Sequence, residues 1–241
     1  MAQKVTPYKS DASKKEQVQS MFDNIAGRYD FLNRILSLGI DVQWRNRAIR
    51  ELKKYHPTQI IDVACGTGDF SIAALKSGAT SVTGVDISEE MLAAGRKKMV
   101  KKHLEGKIIL ESGDSEKLKY NNDQFDACTV AFGVRNFEHL QLGLNEIYRV
   151  LKTGSPVIIL EFSRPGSFPV KQLYNFYFST ILPVIGRLIS GDARAYTYLF
   201  ESVSAFPEGE EFISYLKQAG FKNCKCKRLT FGICSLYIGE K

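Results

Sequence analysis

A glycine-rich turn stands among residues that could bind a nucleotide-like ligand. The stretch IIDVACGTGDF, residues 60–70, runs from an apolar segment into Gly66 and Gly68. Glycine lets the backbone approach a ligand closely and adopts dihedral angles that other residues avoid. Asp86 ends the next apolar segment, where an acid commonly accepts hydrogen bonds from ribose hydroxyls. These residues predict a site for a ligand that contains ribose.

Asp62 distinguishes among such ligands. NAD and S-adenosylmethionine both carry the ribose, so Asp86 alone leaves both open. An acid just before the glycines would repel a pyrophosphate, whereas it could bind the ammonium group of a methionine moiety. Asp114 and Ser115, at the end of the third apolar segment, are placed to contact an adenine edge. The set predicts S-adenosylmethionine as the cofactor. The alternative for Asp62 is an acid that caps neighbouring backbone amides.

Two other phosphate-binding patterns fit the turn less well. The dinucleotide pattern has a third small residue for helix packing, and Ser71 stands where its glycine would be. A Walker phosphate loop is excluded because no Gly-Lys-Ser/Thr follows the turn.

The elements that must position these residues alternate between strands and helices. We predict strands at residues 59–64, 81–86, 107–114, 125–132 and 156–162, and helices at residues 69–76, 88–102 and 138–151. This order is typical of a parallel sheet with helices on both faces. A further helix within residues 207–221 precedes two closing strands, at 222–231 and 234–240, with a turn at Gly232. Ligands of such α/β sheets bind at the carboxyl ends of the strands.

Two helical segments lie outside this alternation. Residues 13–55 have helical spacing of apolar residues, and Asp41 is a candidate N-cap within them. We predict a helical cap segment at residues 1–56 ahead of a domain at residues 57–241. That domain carries an aromatic-rich helical insertion at residues 165–206, before its last helix.

Charge and composition limit the partners. The chain of 241 residues has a net charge of +7, and residues 1–56 contribute +5 of it. A basic balance suggests an anionic partner, either a nucleic acid or a membrane surface. The most apolar stretch, residues 176–189, is too short to span a bilayer and is broken by Pro183. Five cysteines without a zinc-binding spacing indicate a reducing cytosol and no disulfide framework.

Several segments resemble a known family. DVACGTGD, GVDIS, SGDSEKL and FDACTVAFGVRNF are similar to the class I methyltransferases that use S-adenosylmethionine. YDFLNRILSLGIDVQW (29–44) and RVLKTGSPVIILEFS (149–163) resemble the two signatures of the quinone-biosynthesis C-methyltransferases. The resemblance extends from about Tyr29 to the end of the chain. Among several departures, Asp41 stands where the first signature usually has histidine. Ala64 stands where generic methyltransferases have glycine, although this family often carries alanine there.

The resemblance implies a fold, a reaction and a set of cofactor contacts. The implied fold is α/β, a Rossmann-like and mostly parallel sheet closed by an antiparallel hairpin. The implied reaction is methylation of demethylmenaquinol to menaquinol or, in some members, of a ubiquinol precursor. The implied cofactor contacts are Thr67, Asp86, Asp114 and Ser115. With the residues argued above, the predicted cofactor site comprises Asp62, Gly66, Thr67, Gly68, Asp86, Ile87, Asp114 and Ser115.

The implied reaction needs a group that makes a ring carbon nucleophilic, and it needs no metal. Removal of a proton from the neighbouring hydroxyl pushes charge onto that carbon. Arg135 cannot be the base because a guanidinium stays charged, but it could stabilise the phenolate or hold a water molecule. Asn136 could fix a ring oxygen, and Tyr29 could close over the ring. Alternatively, Arg135 pairs with Glu138 or Glu161, and Tyr29 only packs.

The histidines are weaker candidates for the base. His56, His103 and His139 are each predicted to be surface residues rather than catalytic ones.

The implied substrate has an isoprenoid tail and resides in the membrane. A basic N-terminal face and the apolar insertion would suit a cytoplasmic protein that is peripheral on the inner face of the cell membrane. The insertion could equally form a lid core or a homodimer interface.

Three alternative hypotheses retain the fold or the cofactor but assign a different activity. Nucleic acid is not the expected partner, because AFGVRNF lacks the prolines of amino-methylating enzymes and no cysteine stands in a suitable loop for cytosine methylation. O-methylation of a small phenol and a non-catalytic cofactor-binding protein are the other two.

Overall fold

One seven-stranded sheet organises the part of the chain that the structure describes. The computed structural model describes residues 5–8, 10–37, 39–181 and 193–241. The strand order is β3-β2-β1-β4-β5-β7-β6. The strands are β1 (Gln59–Val63), β2 (Ser81–Asp86), β3 (Ile108–Ser112), β4 (Ala127–Ala131), β5 (Pro156–Phe162), β6 (Lys222–Leu229) and β7 (Cys234–Glu240).

The first five strands are parallel, as the alternation of elements predicted. β1 pairs with β2 on one side and with β4 on the other. The chain therefore reverses its direction of winding at β1, and the carboxyl ends of β1 and β4 frame a crevice. The predicted antiparallel closure is confirmed, because β7 runs antiparallel to both β5 and β6.

The structure describes nine α-helices. They are α1 (Lys14–Ile25), α2 (Tyr29–Leu36), α3 (Ile40–Leu52), α4 (Asp69–Ala74), α5 (Glu89–Lys101), α6 (Leu140–Val150), α7 (Val170–Phe176), α8 (Ala193–Ala205) and α9 (Glu210–Gln218). Ser13 and Glu16 form a capping box at the start of α1, and the Ser88 hydroxyl caps α5. The predicted N-cap at Asp41 is wrong. Gly39 takes that position because it adopts a left-handed conformation, with φ of +75°.

The centre of the sheet is buried on both faces, and successive residues of a strand point to opposite sides. Ile60 of β1 and Ile158 of β5 belong to one apolar cluster. Ile61 and Val157, their neighbours in sequence, belong to the other. All four side chains are fully buried. Burial on both faces explains why these strands read as continuous apolar runs.

A third apolar cluster joins the two segments that lie outside the alternation. Val18 and Met21 of α1 are buried with Tyr174 of α7 and with Tyr198 of α8. The cap segment and the insertion therefore share one core above the crevice. Of the apolar stretch at 176–189, residues 182–189 and the side chains of Phe178 and Ile181 lie outside the described residues. No helix in the described ranges is both long and apolar enough to cross a membrane.

Candidate active site

Three cavities meet at the carboxyl ends of β1 and β4. Their volumes are about 370, 70 and 50 Å³, and we call them the large, the middle and the small cavity. Tyr29 and Phe132 line all three. Phe132 follows β4 with φ of +58°, a left-handed conformation that is rare outside glycine. Two ligands bound in neighbouring cavities would therefore meet beside these two rings.

The glycine turn fixes Asp86. Gly66 has φ of +55°, and its amide donates to Asp86 Oδ2 at 2.7 Å. The Ser88 amide donates to Oδ1 at 2.9 Å. Burial raises the pKa of Asp86 above its ordinary value, and these backbone hydrogen bonds oppose the rise. A side chain at Gly66 would begin 3.3 Å from the Met91 methyl carbon, so glycine keeps this space open.

The middle cavity is lined by one part of the predicted cofactor site. Its wall includes Gly66, Asp86, Ile87, Asp114 and Ser115. An acid with a fixed orientation can accept hydrogen bonds from the two ribose hydroxyls of an adenosine.

Lys15 also lines the middle cavity, although no sequence pattern predicted it there. Its ammonium group lies 2.6 Å from Asp114 Oδ2 and 3.5 Å from Glu116 Oε2. Lys15 belongs to α1, so the cap segment closes the side of this cavity.

The small cavity collects the other end of the predicted site, at Asp62, Gly66 and Thr67. Asp62 is fully buried, and its two oxygens accept hydrogen bonds from Ser71 at 2.5 Å and from Thr129 at 2.8 Å. Burial raises the pKa of Asp62 to about 7, although both hydroxyls favour the ionised form. Ser71, which breaks the dinucleotide pattern, is thus explained by its bond to this acid.

Thr67 and Gly68 differ in what they contribute. The Thr67 hydroxyl donates to Asp30 at 2.6 Å and accepts from Lys98 at 2.9 Å, which ties α2 to the glycine turn. Gly68 lines none of the three cavities, although it was predicted as a cofactor contact. A side chain there would begin 2.7 Å from Met99, so its role is the packing of the turn against α5.

The large cavity has mostly apolar and aromatic walls, and Arg135 lies in them. Arg135 Nη1 pairs with Glu161 Oε1 at 2.8 Å and also donates to the Phe132 carbonyl. The guanidinium lies over the Phe162 ring, 5.6 Å from its centre. Within the described ranges, Arg135 Nε is buried and has no hydrogen-bond partner. The alternative of an ion pair with Glu161 is therefore correct, and the charged guanidinium stands in the wall of the cavity.

Glu161 belongs to β5 and is fully buried. Burial raises the pKa of this carboxyl group above its ordinary value, while the Arg135 guanidinium opposes that rise. Its oxygens also accept from the backbone amides of Phe162 and Arg135. These contacts hold the guanidinium in one orientation at the cavity wall.

Asn136 and Tyr29 connect the cavities. Asn136 lines the middle cavity, and its Oδ1 accepts a hydrogen bond from the Tyr198 hydroxyl at 3.2 Å. Tyr198 itself lines the large cavity, so the pair spans the wall between the two. Tyr29 packs edge to face on Phe22 with ring centres 5.9 Å apart. Desolvation raises the pKa of the Tyr29 phenol, which keeps it protonated near neutral pH.

The histidines lie away from these cavities, whereas Cys65 lines the small cavity. His56, His103 and His139 are exposed, as predicted, and His139 contacts Glu116. All five cysteines are free. The described residues contain no group of three or more potential ligands that could hold a metal ion.

The fold and the crevice define a class I methyltransferase that depends on S-adenosylmethionine. The defining features are the strand order, the glycine turn after β1 and the acid at the end of β2. More particularly, the chain belongs to the ubiE/COQ5 methyltransferase family, whose model matches residues 10–241.

Relatives agree over nearly the whole length. The chain is 48% identical to a demethylmenaquinone methyltransferase of Bacteroides fragilis, covering 99% of this chain and 98% of the relative. It is 46% identical to the ubiquinone/menaquinone biosynthesis C-methyltransferase UbiE of Geotalea daltonii, covering 95% and 97%. Among solved structures, a possible histamine N-methyltransferase of Thermotoga maritima superposes with a TM-score of 0.66 at 19% identity, covering 92% and 99%. That likeness supports the fold alone.

Proposed function

We propose that this protein transfers the methyl group of S-adenosylmethionine to a ring carbon of demethylmenaquinol. The observation that carries the proposal is the large aromatic-walled cavity, which shares Tyr29 and Phe132 with both cofactor cavities. Its volume of about 370 Å³ lies in the range of pockets that enclose drug-sized ligands. The names of close relatives support the same acceptor.

The walls of the large cavity suit a flat bicyclic ring. Phe132 and Phe162 lie with ring centres 4.5 Å apart, and Trp44 lies 6.0 Å from each. Aromatic rings bury large apolar areas and favour offset or edge contacts with another ring. An acceptor ring packed against these groups would be shielded from water.

The chemistry requires charge on a ring carbon. When bound, S-adenosylmethionine supplies a methyl group on a positively charged sulfur. A phenol loses its proton only near pH 10, so the site must stabilise the phenolate. Arg135 supplies a fixed positive charge at the wall of the cavity, where it can stabilise the phenolate. In a site without water, such a preoriented charge stabilises developing negative charge strongly.

Asn136 and Tyr29 orient the ring. Because Tyr198 occupies Asn136 Oδ1, the side chain presents its amide NH₂ group to a ligand. Asn136 therefore donates to a ring oxygen rather than accepting from it. Tyr29 closes the space between the cofactor cavities and the acceptor cavity, which excludes water from the transfer point.

The deciding experiment is an acceptor panel. Purified protein is incubated with S-adenosylmethionine labelled in its methyl group and with four acceptors: a demethylmenaquinol, a ubiquinol precursor, a small phenol and tRNA. Label in the demethylmenaquinol, located on the ring carbon by mass spectrometry, supports the proposal. Label in both quinols extends it to the second substrate. Label only in the phenol or in tRNA overturns it.

We further infer that the protein works in the cytoplasm at the inner face of the membrane, through a surface around the large cavity. Five large apolar side chains that are 58–80% exposed lie on α2, around α7 and on the β6–β7 turn: Phe31, Phe168, Leu173, Phe176 and Phe231. These three parts of the chain also line the cavity. The exposed Arg28, Arg34 and Lys171 lie nearby in sequence. Apolar groups with basic neighbours suit an anionic bilayer.

Co-sedimentation with vesicles containing anionic lipid tests this surface. Phe168→Ser with Phe176→Ser should reduce binding at low salt, whereas Leu142→Ser, which removes an apolar group exposed elsewhere, should not. Absence of binding by the unaltered protein at low salt would contradict the inference.

A further inference from the structure

Arg45 of α3 lies between the small cavity and the large one and lines both. Its side chain is only 13% exposed. The small cavity otherwise carries carboxylates in its wall, from Asp30, Asp62 and Asp69. Of the described residues that line it, Arg45 alone carries a positive charge.

The contacts of Arg45 leave most of its donors unused. Nη2 bonds Asp41 and lies 3.7 Å from Asp69 Oδ2. The described part of the chain supplies no hydrogen bond or ion pair to Nε or Nη1. Lys98, a second cation near this cavity, is already surrounded by Thr67 at 2.9 Å, Asp30 at 2.5 Å and Asp69 at 2.7 Å.

Asp41 holds the guanidinium in place. The Ser37 hydroxyl donates to Asp41 Oδ1 at 2.7 Å, and Asp41 Oδ2 bonds Arg45. Asp41 is buried, so the guanidinium that it binds has a fixed position relative to α3. The residue that departs from the family signature thus orients an arginine at the cavity wall.

We propose that Arg45 binds the carboxylate of the methionine moiety of S-adenosylmethionine. This moiety is a zwitterion, and the small cavity offers Asp62 for its ammonium group but needs a cation for its carboxylate. A guanidinium presents parallel donors that match a carboxylate, and such charge-assisted bonds are strong. The inference depends on the donor that the family establishes and is independent of the acceptor proposed above.

Calorimetric binding of two ligands tests it without any turnover. The ligands are S-adenosylhomocysteine and its decarboxylated analogue, which keeps the ammonium group and lacks the carboxylate. Arg45→Gln should weaken S-adenosylhomocysteine about ten- to a hundredfold. The same substitution should leave the analogue within about twofold. Arg47→Gln, an exposed position on the same helix that lines no cavity, is the matched control and should change neither.

The two ligands also separate binding from folding. Arg45→Lys is a second variant that keeps the charge and loses the fork, so it should weaken S-adenosylhomocysteine less than Arg45→Gln does. A disturbed fold would weaken both ligands together. Equal loss for both ligands in the variants that fold, or unchanged affinity for S-adenosylhomocysteine, would overturn the proposal.

Discussion

Arg135, which follows β4, and Glu161, near the end of β5, form an ion pair with Nη1 2.8 Å from Oε1 and side chains only 8% and 0% exposed. The pair lies at the wall of the large cavity, behind the space proposed for the acceptor ring. The ion pair fixes the orientation of the guanidinium and partly neutralises its charge. Each effect has a measurable consequence.

Replacement of Arg135 by alanine should lower turnover by about a hundredfold or more, because a preoriented charge is removed from the phenolate. Affinity for S-adenosylhomocysteine should stay nearly intact, since Arg135 lines neither cofactor cavity. Single-turnover kinetics and calorimetry measure the two effects. Arg164→Ala, at a half-exposed arginine, is the control. Normal turnover in Arg135→Ala would remove this residue from the mechanism.

Removal of Glu161 alone should destabilise the protein by about 3 kcal/mol, because Glu161→Gln leaves a buried guanidinium without its counter-charge. The double variant Arg135→Met, Glu161→Leu should recover most of that loss, since neither charge remains buried. Chemical denaturation of Arg135→Met, Glu161→Leu and the double variant measures the coupling between the two side chains. Additive losses would show that the two side chains do not act as a pair.

Asp62 should make both stability and cofactor binding depend on pH. Its pKa in the folded protein, about 7, lies above the ordinary value of 3.8, so the folded state holds the proton more tightly. The resulting stabilisation is complete below about pH 4 and is lost as the pH rises through about 7. Asp62→Asn should therefore gain stability relative to the parent protein over that range. Thermal unfolding of the ligand-free proteins, at matched ionic strength, measures the difference.

Ligand binding provides a second readout for Asp62. An ammonium group favours the ionised carboxylate, so S-adenosylhomocysteine should bind more tightly at about pH 8 than at about pH 6. 5′-Methylthioadenosine lacks the ammonium group and should show little of this dependence. The same pH dependence for both ligands would show that Asp62 does not bind the ammonium group.

Tyr198→Phe should lower turnover about tenfold with little change in cofactor affinity, because the Asn136 amide loses the bond that orients it. The lost hydrogen bond should also cost about 1 kcal/mol of stability. Tyr215→Phe, at a tyrosine that lines none of the three cavities, controls for the loss of a phenol. Unchanged turnover in Tyr198→Phe would show that the Tyr198 hydroxyl does not orient Asn136 for the reaction.

The sheet could be predicted because its signal is periodic and local. Apolar runs near Ile60 and Ile158 mark strands that are buried on both faces, and the turn at Gly66 follows directly from the sequence. The prediction at Asp41 was wrong because acids are common N-caps, whereas the left-handed conformation of Gly39 has no sequence signal beyond glycine itself.

The polar contacts of the cap segment could not be predicted. Lys15 and Asp114 are 99 residues apart, and Thr67 and Asp30 are 37 apart. Such pairs form only when separate elements pack against each other. The sequence around a single charged residue does not indicate which distant residue it will pair with. The role of Arg45 could not be predicted for the same reason, since α3 also contains Arg47 and Arg50. Its burial, and not its type, distinguishes it from Arg47.

The apolar cluster that joins α1 to α8 has a consequence for biosynthesis. Val18 and Met21 leave the ribosome long before Tyr174 and Tyr198, the residues that bury them. Until most of the chain has been made, α1 presents an apolar face without its final partner, and contacts so distant in sequence form slowly. The large cavity, which is lined by the same helices, is therefore among the last parts of the molecule to form.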